Sequence, residues 1–187
     1  MSTTVSAPVR LITAEEFAQQ YSDHHAELDK GKVVETVMPW ILHGVVCANM
    51  ARHLGNFVEE HRLGRIATND SWVITRRNPD SVRGPDVAWY SYQSLPAGKV
   101  ADGLLEAVPE LAIEIRSPSN SWQELLAKSS EYLQAGVKVV MILDPEKSAA
   151  TLFRDAELPQ TLHNGDSITI PDLLPGFSIP LSKVFGQ

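Results

Sequence analysis

The stretch of residues 110–143 constrains this chain more than any other. Over residues 110–116 the apolar Leu111, Ile113 and Ile115 alternate with Ala112 and Glu114, the period of a strand, and Pro118 stops it. Ser119 or Asn120 can then cap a helix over residues 121–135 that Gly136 ends. Residues 138–143 are almost wholly apolar, the mark of a strand covered on both faces. Strand, helix and buried strand in series demand a parallel crossover, right-handed by the usual rule. A hairpin over residues 26–38 and strands over residues 66–75 and 86–92 are more easily antiparallel. The chain therefore reads as α/β, with a central mixed β-sheet flanked by helices.

Glu114 is the conflict within that pattern. A charge inside an apolar strand is expensive unless it is paired or bound to a cation. The two-residue period puts Glu114 and Arg116 on one face and Ile113 and Ile115 on the other, so the charged face is a site and the other is core. On the helix, Trp122, Leu125, Leu126, Ser129, Tyr132 and Leu133 form the buried stripe. Lys128 lies at its margin beside Tyr132, with a stem that can pack and an ammonium that can reach the end of the sheet. Asp86 stands at the mouth of a neighbouring strand. Two carboxylates and a lysine gathered from three elements are the parts of a metal-dependent phosphodiester hydrolase. Two blander arrangements stay open: a plain crossover salt bridge between Lys128 and Glu114, or Lys128 paired at i,i+4 with Glu124 on the helix surface.

These residues also carry a family likeness. Pro85-Asp86-Val87, Glu114-Ile115-Arg116-Ser117-Pro118-Ser119, Lys128 four residues before Tyr132 and eight before Gly136-Val137, and Asp144-Pro145 follow in order. Upstream stand Ala26-Glu27-Leu28 with Gly31 and Val33, then Met38-Pro39, His43 and Leu63-Gly64. From about Leu11 to Phe185 the chain resembles the Uma family, named as restriction endonucleases within the PD-(D/E)xK nuclease superfamily. The resemblance implies a restriction-endonuclease-like core and a divalent metal, Mg²⁺ or Mn²⁺, held by Asp86, Glu114 and the carbonyl of Ile115. It makes Glu27 an additional ligand, directly or through water, and assigns Lys128 to the attacking water or the developing oxyanion. Arg116 stands where the superfamily usually has its lysine. It cannot act as a base but can clamp a phosphate, so it ranks second to Lys128. Glu124 and Met141 replace a common aspartate and a common tryptophan. DNA is the implied substrate, cut by a homodimer because two strands need two sites. Two alternatives are a nuclease fold kept for binding or regulation without activity, and hydrolysis of RNA or a small nucleotide at the same site.

The 187 residues suffice for one domain, expected over residues 11–187 behind a small, polar and flexible leader over residues 1–10. Thr13 with Glu16 outlines a capping box that opens a short helix reaching Tyr21. Ile41, Val45, Ala48, Ala51, Leu54, Phe57 and Val58 set a helical period over residues 41–62, with Gly64 as its expected stop. Residues 76–85 read as a polar turn, residues 93–108 as an irregular connection, and the chain closes in short strands at 151–154, 167–170 and 177–180. Trp72 and Trp89 fit sheet packing better than base stacking, and His43 either faces the cleft or caps its helix.

A net charge of −7, from 16 basic and 23 acidic residues, argues against a tight sequence-independent grip on a phosphate backbone. Arg76, Arg77 and Arg83 offer either a local basic rim or merely a solvated loop. A single cysteine, Cys47, excludes an intrachain disulfide framework and suits a reducing cytoplasm. No apolar run is long enough to span a membrane, and the leader lacks the charged start and hydrophobic core of a signal peptide.

Overall fold

The computed structural model describes residues 10–98, 100 and 103–186, so the leader expected over residues 1–10 falls almost wholly outside the described residues. In chain order the elements are α1 (Ala14–Tyr21), β1 (Ala26–Asp29), β2 (Lys32–Glu35), α2 (Ile41–Glu60), β3 (Gly64–Thr68), β4 (Val73–Arg76), β5 (Ser81–Arg83) and β6 (Val87–Ser91). There follow β7 (Leu111–Ile115), α3 (Trp122–Ala135), β8 (Val139–Asp144), β9 (Ala149–Phe153), β10 (Gln160–Leu162), β11 (Ser167–Ile170), β12 (Leu174–Pro180) and α4 (Leu181–Phe185).

The crossover forms where the periodicity changes. β7 and β8 pair in parallel from Leu111 opposite Val139 to Ile115 opposite Leu143, with α3 as their connection. Ser121 caps α3 in a full capping box with Glu124, and Gly136 ends it in the left-handed conformation. The remaining pairs of the six-stranded sheet, ordered β10-β9-β8-β7-β6-β3, are antiparallel, so the sheet is mixed.

Each face of that sheet has its own cover. Ile113, Ile115, Met141 and Leu143 pack with Val46, Met50, Leu54 and Val58 of α2 in the largest core cluster, which also takes in β11, β12 and α4. On the other face Tyr132 of α3 packs with Ala112 and Val140. Burying a side chain of this size contributes about 1.5–3 kcal/mol, so the faces lock the crossover in place. A second, four-stranded sheet, ordered β2-β1-β5-β4, closes over α1 through Phe17, Leu28, Ile74 and Val82.

Three local expectations change. The single strand over residues 66–75 is instead β3 and β4, on different sheets, broken at Asn69 and Asp70 with φ of 62° and 54°. Asparagine and aspartate tolerate that region better than other side chains, so the break was written in the polar pair. Gly64 does not end α2, which stops at Glu60 and turns off through Arg62 at φ 54°. Gly64 opens β3, where an added Cβ would stand 1.9 Å from the carbonyl oxygen of Tyr90. The polar turn of residues 76–85 contains β5, too short at three residues to show alternation.

Candidate active site

The antiparallel register of β6 on β7, with Val87 opposite Ile113, carries Asp86 to the C-terminal end of β7. There its Oδ2 accepts a hydrogen bond from the backbone N–H of Ile115 at 2.6 Å. Its Oδ1 is 3.1 Å from His43 Nε2 on the first turn of α2. Burial alone would depress the His43 pKa, but the hydrogen bond to Asp86 and the fields of Asp86, Asp70 and Glu114 outweigh it and raise it. Cys47, one turn on, donates its thiol to the Asp86 carbonyl, and burial pushes that thiol up to about 11, so it is protonated and inert at neutral pH.

Glu114 projects from β7 toward α3. Helical spacing puts Lys128 and Tyr132 on one face, and both meet it: Tyr132 donates its hydroxyl at 2.9 Å, and Lys128 Nζ stands 3.9 Å from Oε2. Lys128 is closer to Glu27 of β1, at 2.7 Å. Desolvation drives the Glu114 pKa up to about 8; Lys128 works against that rise, while Asp86 and Glu27 add to it. Glu124 is occupied by the capping box, so the surface i,i+4 pairing with Lys128 does not form.

Glu27 is buried and held on several sides. Its Oε1 accepts from Lys128 and from the Gly84 N–H at 3.3 Å, and its Oε2 from Arg83 at 3.2 Å. The Arg83 guanidinium also binds Glu131 of α3 through two donors, at 3.1 and 2.7 Å, and Asp29 at 3.1 Å. Glu131 further accepts the hydroxyl of Thr75. One buried arginine thus clamps the four-stranded sheet to the crossover helix, and Glu27 spans the two.

The structure therefore brings Asp86, Glu114, Ile115, Glu27 and Lys128 to one open cleft of 1680 Å³. Arg116 goes elsewhere. It lies on the α3 side like Glu114, but its guanidinium binds Asp144 at 3.3 Å and Glu146 at 2.8 Å and sits 5.8 Å over the Trp122 ring. The basic rim does not assemble either: Arg83 is internal, and Arg77 is tied to Glu15, Asp80 and Glu106. Trp89 is core and Trp72 packs on Phe17, as sheet packing requires.

Sequence reasoning passed over Asp70. Its loop presses on Gly84, where an added Cβ would come within 2.7 Å of the Asp70 carbonyl oxygen and 2.8 Å of its Cβ. Asp70 lines the cleft, and burial, then Asp86, raise its pKa. The signal was the glycine before Pro85-Asp86, which marks a close backbone approach.

Among the described residues no three His, Cys, Asp or Glu side chains stand ready around one point as metal ligands. The donor set nevertheless suits a hard divalent cation: the carboxyl oxygens of Asp86, Glu114 and Glu27 line one cleft, and Asp86 and Glu27 both add to the rise in the Glu114 pKa. An ion that retains several waters needs only one or two protein carboxylates, so the set fits Mg²⁺ or Mn²⁺. Among the described residues no helix is long and apolar enough to cross a membrane.

A solved structure described as "a putative nuclease belonging to DUF820", from Anabaena variabilis, superposes with a TM-score of 0.82 at 19% identity, covering 94% of this chain and 98% of its own. That likeness concerns the fold. No curated protein sequence matches. A family model described as "Uma2: Putative restriction endonuclease" matches residues 14–182, nearly the whole chain, and this protein belongs to that family.

Proposed function

We propose that the protein is a divalent-metal-dependent endonuclease that hydrolyses phosphodiester bonds of DNA and works as a homodimer. The observation that carries this reading is that Asp86, bound to the Ile115 N–H, and Glu114, with Lys128 Nζ 3.9 Å from its Oε2, line one cleft. Asp86, Glu114 and the Ile115 carbonyl would hold Mg²⁺ or Mn²⁺. When bound, the ion lowers the pKa of a coordinated water and offsets charge on the phosphate. Lys128, held protonated because Glu114 and Glu27 outweigh its desolvation, presents a cation to the oxyanion that develops. Glu27 fixes the ammonium in that place and serves as its anchor, with a water-mediated contact to the ion as its further role. Arg116, bound to Asp144 and Glu146, shapes the loop at the site's edge.

A second reading has its own observation. Both Asp86 oxygens already have partners, in Ile115 and His43, and among the described residues no three-ligand set stands ready, as in a nuclease fold kept for binding without activity. Calorimetric titration with Mn²⁺ separates the two: uptake by wild type that disappears in Asp86→Ala supports the enzyme, and no uptake by wild type supports the binding module. A nicking assay on supercoiled DNA across several metals completes the test. Activity must fall in both Glu114→Gln and Lys128→Ala; equal nicking by wild type and variants refutes the assignment.

A further inference from the structure

Twelve large hydrophobic side chains are exposed among the described residues, and seven of them lie between Val34 and Val45. Val37 is 73% exposed, Trp40 72% and Ile41 85%. α2 uses Val46, Met50, Leu54 and Val58 to reach the core, yet Ile41, Leu42 and Val45 on its first turns face outward. A helix that is apolar all round belongs in an interior, so this end of α2 carries the pattern of a buried segment without a cover among the described residues. Residues 36–42 hold no charged side chain. Beside them, β2 is the outer strand of its sheet.

We propose that this surface, from Val34 of β2 through the Val37–Trp40 connection to Val45 of α2, is where a second copy of the chain docks. Three observations select that occupant. The exposed fractions amount to apolar surface on the order of 700 Å², beyond the ~300–600 Å² of the largest patch on an ordinary monomer and close to the ~800 Å² each partner gives to a standard interface. The absence of charge over residues 36–42 denies the patch the lysines and arginines that a phosphate backbone or an anionic lipid surface requires, whereas a two-fold contact needs only that the patch complement itself. Val34, Val37 and Pro39 also line the cleft, so docking here sets two clefts on neighbouring rims. The surface deepens the nuclease reading and rests on its homodimer, placing a second site beside the first for the second strand.

Sedimentation velocity on the full chain over micromolar concentrations tests the proposal. Wild type is expected at twice the 20.6 kDa chain mass, and the doubly substituted Trp40→Asp, Ile41→Asp protein at the single mass, with an unchanged far-UV circular dichroism spectrum. Val37→Lys, outside the helix, gives the same loss without touching helix formation. A wild type that stays monomeric, or variants that stay dimeric, overturn the proposal. So does a monomeric wild type whose retention on duplex DNA falls in these variants, since that gives the surface to nucleic acid. Mn²⁺ uptake measured on the same samples keeps the outcomes apart: a monomer that still takes up Mn²⁺ sinks the interface and the homodimer but leaves the metal site, and a dimer that takes up none sinks the metal site alone.

Discussion

Replacing Glu114 with glutamine is the sharpest test of the electrostatics at this site. In the unfolded chain a glutamate ionises near its ordinary value of 4.5, whereas in the fold burial holds Glu114 protonated up to about 8. A carboxyl whose folded pKa is raised gives stability that is fully present below the unfolded value and lost as pH rises through the folded one. Metal-free protein should therefore weaken between about pH 4.5 and 8 and level off above. The separation of roughly three and a half pH units, at 1.36 kcal/mol each, sets a ceiling of about 5 kcal/mol. Glutamine keeps the shape and still accepts the Tyr132 hydroxyl, and Lys128 retains Glu27 at 2.7 Å, so little else is removed. In urea unfolding with chelator present, Glu114→Gln should match wild type near pH 5 and exceed it by about 2–5 kcal/mol at pH 9. Mn²⁺ should narrow the gap at pH 8 by stabilising wild type, as binding to the native state alone does. Parallel pH profiles for the two proteins, or a variant less stable at pH 9, would refute the reasoning.

Two further substitutions probe the scaffold. Arg83→Met leaves Glu27, Glu131 and Asp29 without their shared cation in a largely buried setting and should cost about 3–5 kcal/mol in urea unfolding, with Arg83→Lys recovering part of it. Gly84→Ala drives a Cβ into the Asp70 backbone and should cost about 1–3 kcal/mol by thermal melting, while alanine at Gly98, where a Cβ meets nothing, should not reproduce that clash.

What the sequence disclosed and what it withheld divide along distance in the chain. The β7–α3–β8 unit was legible because each signal sits within its own element: alternation about Glu114, Gly136, and an apolar run; only the cap was misplaced, falling on Ser121 rather than Ser119 or Asn120. Asp86 was legible from Pro85 and the strand that follows. The four-stranded sheet was not, because β5 is three residues long and its place is set by pairing with β1, some fifty residues earlier. Arg83 consequently looked like a surface charge and Arg116 like a cleft residue, although the first is internal and the second is claimed by Asp144 and Glu146. The same missing sheet alters the chemistry. A Lys128 given wholly to Glu114 would have produced a neutral pair with no call for anything more. In the fold, Glu27 draws the ammonium to 2.7 Å and leaves Glu114 at 3.9 Å, beside Asp86 and raised in pKa. The acidic side chains around Glu114 thus outnumber the ammonium they share, and the raised Glu114 pKa is the consequence.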